Sequence, residues 1–325
     1  MANAITIDQC GGSDQFKYTE IDIAQPAEGE VTIHHEAIGM NYIDVYFRSG
    51  LYPIATFPAV VGMEAAGTVT AIGPGVSDFS TGDRIAYAAL PIGAYSTDRN
   101  IKASSLIKLP DAIDFETAAA MMLQGMTVQY LIRQTYEVKK GDTVLLHAAA
   151  GGVGLIASQW LKHLGATVIG TVGTEAKAEL ARANGCDHTI LYNKENVAEK
   201  VKDITAGKGV PVVYDSVGQA TLEASLDSLS PRGLLVSFGN ASGPVTDFNF
   251  GTLAAKGSVY VTRPTLMTYT ADPTDMRAMA QELFDVVASG KVKIAINQRY
   301  PLSEAAKAHD ALESRQTTGS TIFTV

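Results

Sequence analysis

Residues 147–162 read HAAAGGVGLIASQWLK, in which Ala149, Gly151 and Gly154 keep the spacing A-x-G-x-x-G. The apolar run DTVLLHAA leads into them, and Ile156, Trp160, Leu161 and Leu164 then share one face of a helix. The glycines therefore join a strand to a helix. At such a junction the first-turn N–H groups lack intrahelical partners and the helix dipole is partly positive, so backbone alone can hold a pyrophosphate. Glycine turns also serve plain tight packing; a strand before and a helix after make this one a dinucleotide fingerprint, with alanine at its first position.

The residues that follow bear on which dinucleotide. An NAD site offers a carboxylate near the end of the second strand, about 20 residues beyond the glycines, for the ribose 2′-hydroxyl. Here that end reads TVGTEAK. Gly173 and Thr174 occupy the turn, Glu175 is adjacent, and Lys177 lies one short step into the next helix. Glycine leaves room for a 2′-phosphate and lysine supplies the charge, which points to NADPH. The competing role for Lys177 is a solvated helix-face residue.

The elements that must position these residues show in the chain's texture. Its 325 residues, 46% hydrophobic and 18% charged, are enough for two cores. Up to about residue 110, short β-rich runs such as EVTIHHEAIGM, AAGTVTAIGPGV and DRIAYAAL alternate with glycine and proline, as in a compact β-barrel. A helix-like run, ETAAAMMLQGMTVQYLIRQTY, follows. Next come the apolar strands DTVLLHAA, TVIGTV, HTILY, PVVYDSV, GLLVSFG and GSVYVTR, separated by amphipathic stretches. That alternation implies a doubly wound α/β domain with a parallel sheet. Met276, Met279, Leu283 and Val286 mark a further helix with Gly290 at its C-cap; a strand, a helix opened by Ser303 and the strand STIFTV complete the chain.

Composition excludes several function classes. No run of about 18 apolar residues exists, and MANAITIDQC lacks a basic stretch followed by an apolar one, so a cytoplasmic protein is expected. Cys10 and Cys186 are too few for a disulfide framework or a cysteine-rich zinc lobe. A net charge of -9 disfavours broad attraction to nucleic acid or anionic lipid.

Gly141-Asp142, Leu145, the run from Ala149 to Gly154, Gln159 and Lys162 resemble the quinone oxidoreductase (ζ-crystallin-like) branch of the medium-chain dehydrogenase/reductase superfamily. The upstream segment GMEAAGTVTAIGPGVSDFSTGDRIAY is similar to the superfamily's barrel segment, with Met63 where zinc alcohol dehydrogenases carry a histidine. The resemblance implies a GroES-like barrel domain, a Rossmann domain, NADPH, a homodimer and a quinone substrate. It divides the chain into a catalytic domain over 1–124, an NADPH-binding domain over 125–264 and completion of the catalytic domain over 265–325.

Carried over motif by motif, the resemblance assigns Asn41, Tyr46 and Thr127 to the nicotinamide and Gly152 and Val153 to the pyrophosphate. Gly173, Lys177 and Tyr192 would surround the adenosine phosphate. Ser216, Phe238, Gly239, Asn240, Arg263, Thr265 and Arg315 would complete the wrap. Tyr46 and Tyr52 are candidate donors to a developing oxyanion, although tyrosines at a barrel edge also serve simply as packing.

No metal is expected. The position for a zinc ligand holds Met63, and His34 and His35, adjacent on a strand, point to opposite faces. A quinone does not require one, because its carbonyls are electron-poor and its product gains aromaticity. The carboxylates around DFETAAA fit helix N-terminal charges. Two other functions stay open. One is NADPH-dependent reduction of activated C=C bonds in enones or enoyl thioesters; the other is an NADPH-regulated RNA-binding or structural crystallin-like role, against which the acidic balance counts.

Overall fold

The structure is a computed structural model that describes all 325 residues. The chain begins with β1 (Ala2–Ile7), β2 (Lys17–Ile21), β3 (Glu30–Met40), α1 (Tyr42–Ser49), β4 (Ala59–Val60) and β5 (Glu64–Ile72). There follow β6 (Arg84–Ala88), β7 (Asp98–Lys102), β8 (Ile107–Lys108), α2 (Phe115–Ala119) and α3 (Met122–Tyr130). The alternating part comprises β9 (Thr143–Leu146), α4 (Gly152–Leu164), β10 (Thr167–Val172), α5 (Glu175–Ala183), β11 (His188–Leu191) and α6 (Val197–Ile204). It continues through β12 (Val210–Asp215), α7 (Leu222–Ser228), β13 (Leu229–Ser237), α8 (Gly251–Ala255), β14 (Tyr260–Thr262) and α9 (Leu266–Tyr269). Last come α10 (Pro273–Ala288), β15 (Ile296–Pro301), α11 (Ala305–Glu313) and β16 (Ser320–Thr324). No helix is long and apolar enough to cross a membrane.

Two compact units result. The first holds Met1–Met126, Thr270–Phe284 and Ile294–Val325. Its larger sheet runs β15-β16-β3-β5-β6-β8, with β7 also paired to β3, and a smaller one runs β2-β1-β4. Alternation builds it: Val31, Ile33, His35 and Ala37 of β3 point inward while His34 and Glu36 stay exposed. Val31 and Ile33 join Ile5, Val69, Ile85 and Phe323 in one apolar core.

The second unit holds Thr127–Tyr269 and Asp285–Lys293. Its six parallel strands are ordered β11-β10-β9-β12-β13-β14. In order of appearance that is 3-2-1-4-5-6, so the strand order reverses between β9 and β12, where such sheets bind ligands at their carboxyl ends. Leu145, Ile169, Val213 and Leu235 come from four neighbouring strands and share one core, as the near-continuous apolar runs demand.

Several boundaries differ from the sequence expectation. Residues 116–136 form no single helix, because Leu123 gives its N–H to the Glu64 carboxylate, which enters between α2 and α3. After α3, Leu131–Thr135 is a π-helical turn. β9 stops at Leu146 because Ala148 turns to φ 54, and β12 stops at Asp215, whose side chain takes the N–H groups of the following turn. Ser303 lies in a 3-10 turn ahead of α11. Residues 285–293, expected in the catalytic domain, pack with the second unit.

Candidate functional site

In the second unit the chain leaves β9 through Ala148 and enters α4 at Gly151, the N-cap, whose backbone is extended. No acidic residue stands in the first turn of α4, so nothing competes with an anion for its open N–H groups. Gly152 and Val153 occupy that turn. A Cβ on Gly154 would run into the Ala148 carbonyl oxygen and the Ala149 main chain, so only glycine lets helix and turn approach this closely. The turn fits a pyrophosphate held by main chain alone.

A second corner lies at the end of β10. A Cβ on Gly173 would sit 2.7 Å from the Tyr192 hydroxyl, and Asn193 Nδ2 donates to the Gly173 carbonyl at 3.0 Å. Thr174 caps α5 by accepting the Lys177 N–H at 3.3 Å, which places the half-buried Lys177 in the first turn. Gly173, Lys177 and Tyr192 therefore share one corner. Glu175, the carboxylate that could mimic an NAD signature, is ion-paired with Arg182 at 2.7 Å.

Asp215 organises a third group. Its Oδ1 accepts the N–H groups of Val217 at 2.8 Å and Gly218 at 3.1 Å, which folds the chain around Ser216. Phe238 donates its N–H to the Asp215 carbonyl at 2.8 Å and Ser242 its N–H to the Val217 carbonyl at 2.8 Å, so residues 238–243 clasp this turn. Arg263 donates to the Ser237 carbonyl at 3.1 Å and to the Asn240 amide oxygen at 3.2 Å. Ser216, Phe238, Gly239, Asn240 and Arg263 thus form one cluster, with Thr265 just beyond it, bonded to Thr268.

Beneath this cluster Ser225 gives its only proton to Asp215 Oδ2 at 2.7 Å. His147 must then donate from Nε2 to Ser225 and accept from Thr171 at Nδ1. Burial holds the His147 pKa below its ordinary value, consistent with that neutral tautomer. Thr127 is buried on α3 in the same unit. Arg315 is not; it follows α11 in the first unit, exposed, at φ 60.

The first unit holds Asn41, Tyr46 and Tyr52. Tyr46 packs against Tyr42 at 5.5 Å and Tyr52 at 5.3 Å between ring centroids. Asn41 is the N-cap of α1, and its buried amide lies in a chain of side chains. Nδ2 donates to Glu64 Oε2 at 2.5 Å, and Oδ1 accepts from Gln124 Nε2 at 3.0 Å. Gln124 in turn accepts from Ser320 at 2.9 Å. Burial pushes the Glu64 carboxyl up to about 8, against the bonds from Asn41 and the Leu123 N–H.

Asp44 accepts the Asn41 N–H at 2.9 Å and the Tyr95 hydroxyl proton at 2.9 Å, and burial pushes it up to about 7. Tyr95 is also 3.0 Å from Nε2 of His309, which burial holds down at about 3. These contacts anchor α1, the element that presents Tyr46.

Residues 27–132 match the alcohol dehydrogenase GroES-like domain family, and residues 152–285 match the zinc-binding dehydrogenase family. Over 323 residues, 99% of either chain, the protein is 54% identical to a quinone oxidoreductase of Pseudomonas aeruginosa. The chain belongs to the quinone oxidoreductase branch of the medium-chain dehydrogenase/reductase superfamily. It matches the crystal structure of Escherichia coli quinone oxidoreductase complexed with NADPH at a TM-score of 0.98 and 50% identity, covering 99% of this chain and 100% of that one. A Burkholderia 2-haloacrylate reductase is 46% identical over 329 residues, again covering 99% of each chain.

Within this quinone oxidoreductase relative the donors that zinc needs are engaged elsewhere. Met63 is buried, His35 bonds the Ser96 carbonyl at 2.7 Å and Tyr87 at 3.0 Å, and His34 lies 2.9 Å from Asp98 on the opposite face. No group of three or more His, Cys, Asp or Glu side chains is arranged to hold a metal. Sequence reasoning passed over Glu64 and Asp215. Each had a signal: Glu64 is a lone charge in a run of small and apolar residues, and Asp215 ends an apolar strand just before Ser-Val-Gly, the pattern of a side-chain-capped turn.

Proposed function

We propose that this protein reduces quinones with NADPH and without a metal. When bound, the cofactor supplies the hydride and leaves as NADP+, and one proton from solvent completes the hydroquinone. The chain's own part is to bind and orient. Open N–H groups at the start of α4 hold the pyrophosphate, Lys177 neutralises the 2′-phosphate beside Gly173 and Tyr192, and the Ser216 and Phe238 to Asn240 turns support the rest. In the first unit Tyr46 and Tyr52 are the candidate donors to the quinone oxygen that gains charge, and we add Asn41, expected beside the nicotinamide, as a third. Thr127 and Arg315 are assigned cofactor contacts by resemblance alone.

The glycine turn at the reversal of strand order carries this reading, because backbone fills the space where any side chain would sit. The 46% identity to 2-haloacrylate reductase favours a second reading, reduction of an activated C=C bond. A panel of quinones and enones with NADPH, run with and without a strong chelator, decides between them. Quinone turnover that chelation leaves unchanged is expected, whereas oxidation of NADPH by enones alone replaces the first reading with the second.

The strand β14 is a sheet edge with Tyr260 62% and Val261 40% exposed, which suits pairing with a second copy. Sedimentation at micromolar concentration should show a homodimer, and a monomer would refute that assembly.

A further inference from the structure

We propose that Glu64 is a positioning residue: as a carboxylate it takes one N–H of the Asn41 amide and so leaves the other N–H, rather than the amide oxygen, for the quinone. This rests on the assignment of Asn41 to the substrate made above.

The two amides, as oriented in the structure, give the chain of hydrogen bonds one direction. Leu123 N–H donates to Glu64 Oε1 at 2.7 Å, and a main-chain donor cannot reverse. Asn41 Nδ2 donates to Oε2, Gln124 Nε2 donates to Asn41 Oδ1, and the single Ser320 hydroxyl proton is shared between Gln124 Oε1 at 2.9 Å and the Ala120 carbonyl at 3.0 Å. All four side chains are buried. Both oxygens of Glu64 thus accept from N–H groups, the pattern of an ionised carboxylate. The second N–H of Asn41 makes no hydrogen bond within the protein.

A proton placed on Oε2 changes every link. Oε2 becomes a donor, so the Asn41 amide must rotate to accept it. Gln124 must then rotate as well, and Ser320 accepts from Gln124 while still donating to Ala120. The inverted chain keeps all its bonds, so it costs little stability, yet Asn41 now offers an oxygen lone pair where it offered an N–H. An oxygen repels the developing oxyanion that an N–H would stabilise.

The groups around Glu64 do not impose either state. Asp44 on α1 adds negative charge, and the Tyr87 and Tyr95 hydroxyls are both held above their ordinary range by burial. The Asp44 carboxylate accepts the main-chain N–H of Asn41 and the Tyr95 hydroxyl proton, not the Asn41 amide, so its titration acts on the amide only through its charge on Glu64. Burial raises Glu64 to about 8, which brings the exchange between the two orientations within reach of a pH titration.

The test uses the full chain labelled with 15N-asparagine, the Asn41 side-chain amide being assigned by its loss in Asn41→Asp. Without cofactor or substrate, that signal should move between pH 6 and 9 with a midpoint near 8 in the wild type. In Glu64→Gln it should stay at its low-pH position throughout. With saturating NADPH, kcat/KM for a quinone should rise with the same midpoint in the wild type. In the variant it should be flat and about 10- to 100-fold lower at pH 9, with an unchanged circular dichroism spectrum.

The pair Glu64→Gln with Asn41→Asp returns the Gln124 and Ser320 links to their original direction, with the new amide at 64 donating to the new carboxylate at 41, but leaves no outward N–H. The rate should stay low even though the network is whole; recovery of the rate would reduce Glu64 to a structural role and overturn the proposal. An amide signal that does not titrate in the wild type overturns it as well, without reliance on any variant folding. If the amide titrates while no quinone is reduced, the quinone reading fails and the control of Asn41 by Glu64 stands.

Discussion

The second unit grips with main chain where the glycine turn enters α4, and its open N–H groups belong to whichever residues occupy those positions. Around Asn41 in the first unit the hydrogen bonds come from side chains on β5, α1, α3 and β16. Backbone donors cannot titrate or turn over, so the cradle has one polarity at every pH. A chain of carboxylate, amides and hydroxyl has two polarities, and one proton chooses between them. On the proposed function, the contrast is between a site for a permanently charged ligand and one that favours charge as it develops.

The comparison would break most sharply at Asp215, because there the second unit also depends on a side chain. Asp215→Ala strands the N–H groups of Val217 and Gly218 and the hydroxyls of Thr221 and Ser225. The loss should be about 3–5 kcal/mol of stability, seen as a lower denaturant midpoint, together with weaker NADPH binding. A variant as stable as the wild type would mean that the turn around Ser216 is held by its backbone after all.

A smaller effect is expected at Lys177. Lys177→Ala should cost about 1.5–3 kcal/mol, read as a roughly ten- to hundred-fold rise in the NADPH Michaelis constant, while NADH kinetics stay nearly constant. Equal loss with both cofactors moves the phosphate pocket elsewhere.

A third effect, small within any one pH unit, sharpens the contrast through pH. Glu64 is raised from 4.5 to about 8, so the folded chain binds a proton that the unfolded chain has released. Its stabilising contribution is complete below about 4.5 and is lost as pH rises through about 8. Glu64→Gln lacks that dependence. The variant should gain on the wild type by up to about 1.4 kcal/mol per pH unit across this window, measured as the difference in urea-unfolding free energy. His35 and His309 are common to both chains and cancel in the difference to first order, whereas Asp44, whose charge acts on Glu64, contributes to it.

How far these features were legible in the sequence depends on the range of the interactions involved. The six strands of the parallel sheet and the glycine turn were readable because each is written in a few consecutive residues. So was the role of Asp114, which caps α2 by accepting the Thr117 N–H, and of Glu116 in the same first turn. Opposite faces for His34 and His35 followed from the two-residue period of a strand. The break between α2 and α3 was not readable, since a carboxylate 59 residues away causes it. Nor was the link from Gln124 to Ser320, which spans 196 residues. Residues 285–293 were misplaced for a related reason: a helix pattern shows which face is buried but not which core it is buried against.

Ala148 turns the chain out of β9 at φ 54, a conformation that costs a residue with a Cβ about 1–2 kcal/mol, and a glycine would sit there freely. The surrounding main chain must therefore hold it there, and does so through the Ala149 N–H on the Thr171 carbonyl at 3.1 Å and the Gly151 N–H on the Ala148 carbonyl at 3.0 Å. A turn kept in shape by the strands beside it is ordered before any ligand arrives, and a dinucleotide that docks there as proposed would spend little of its affinity on ordering it.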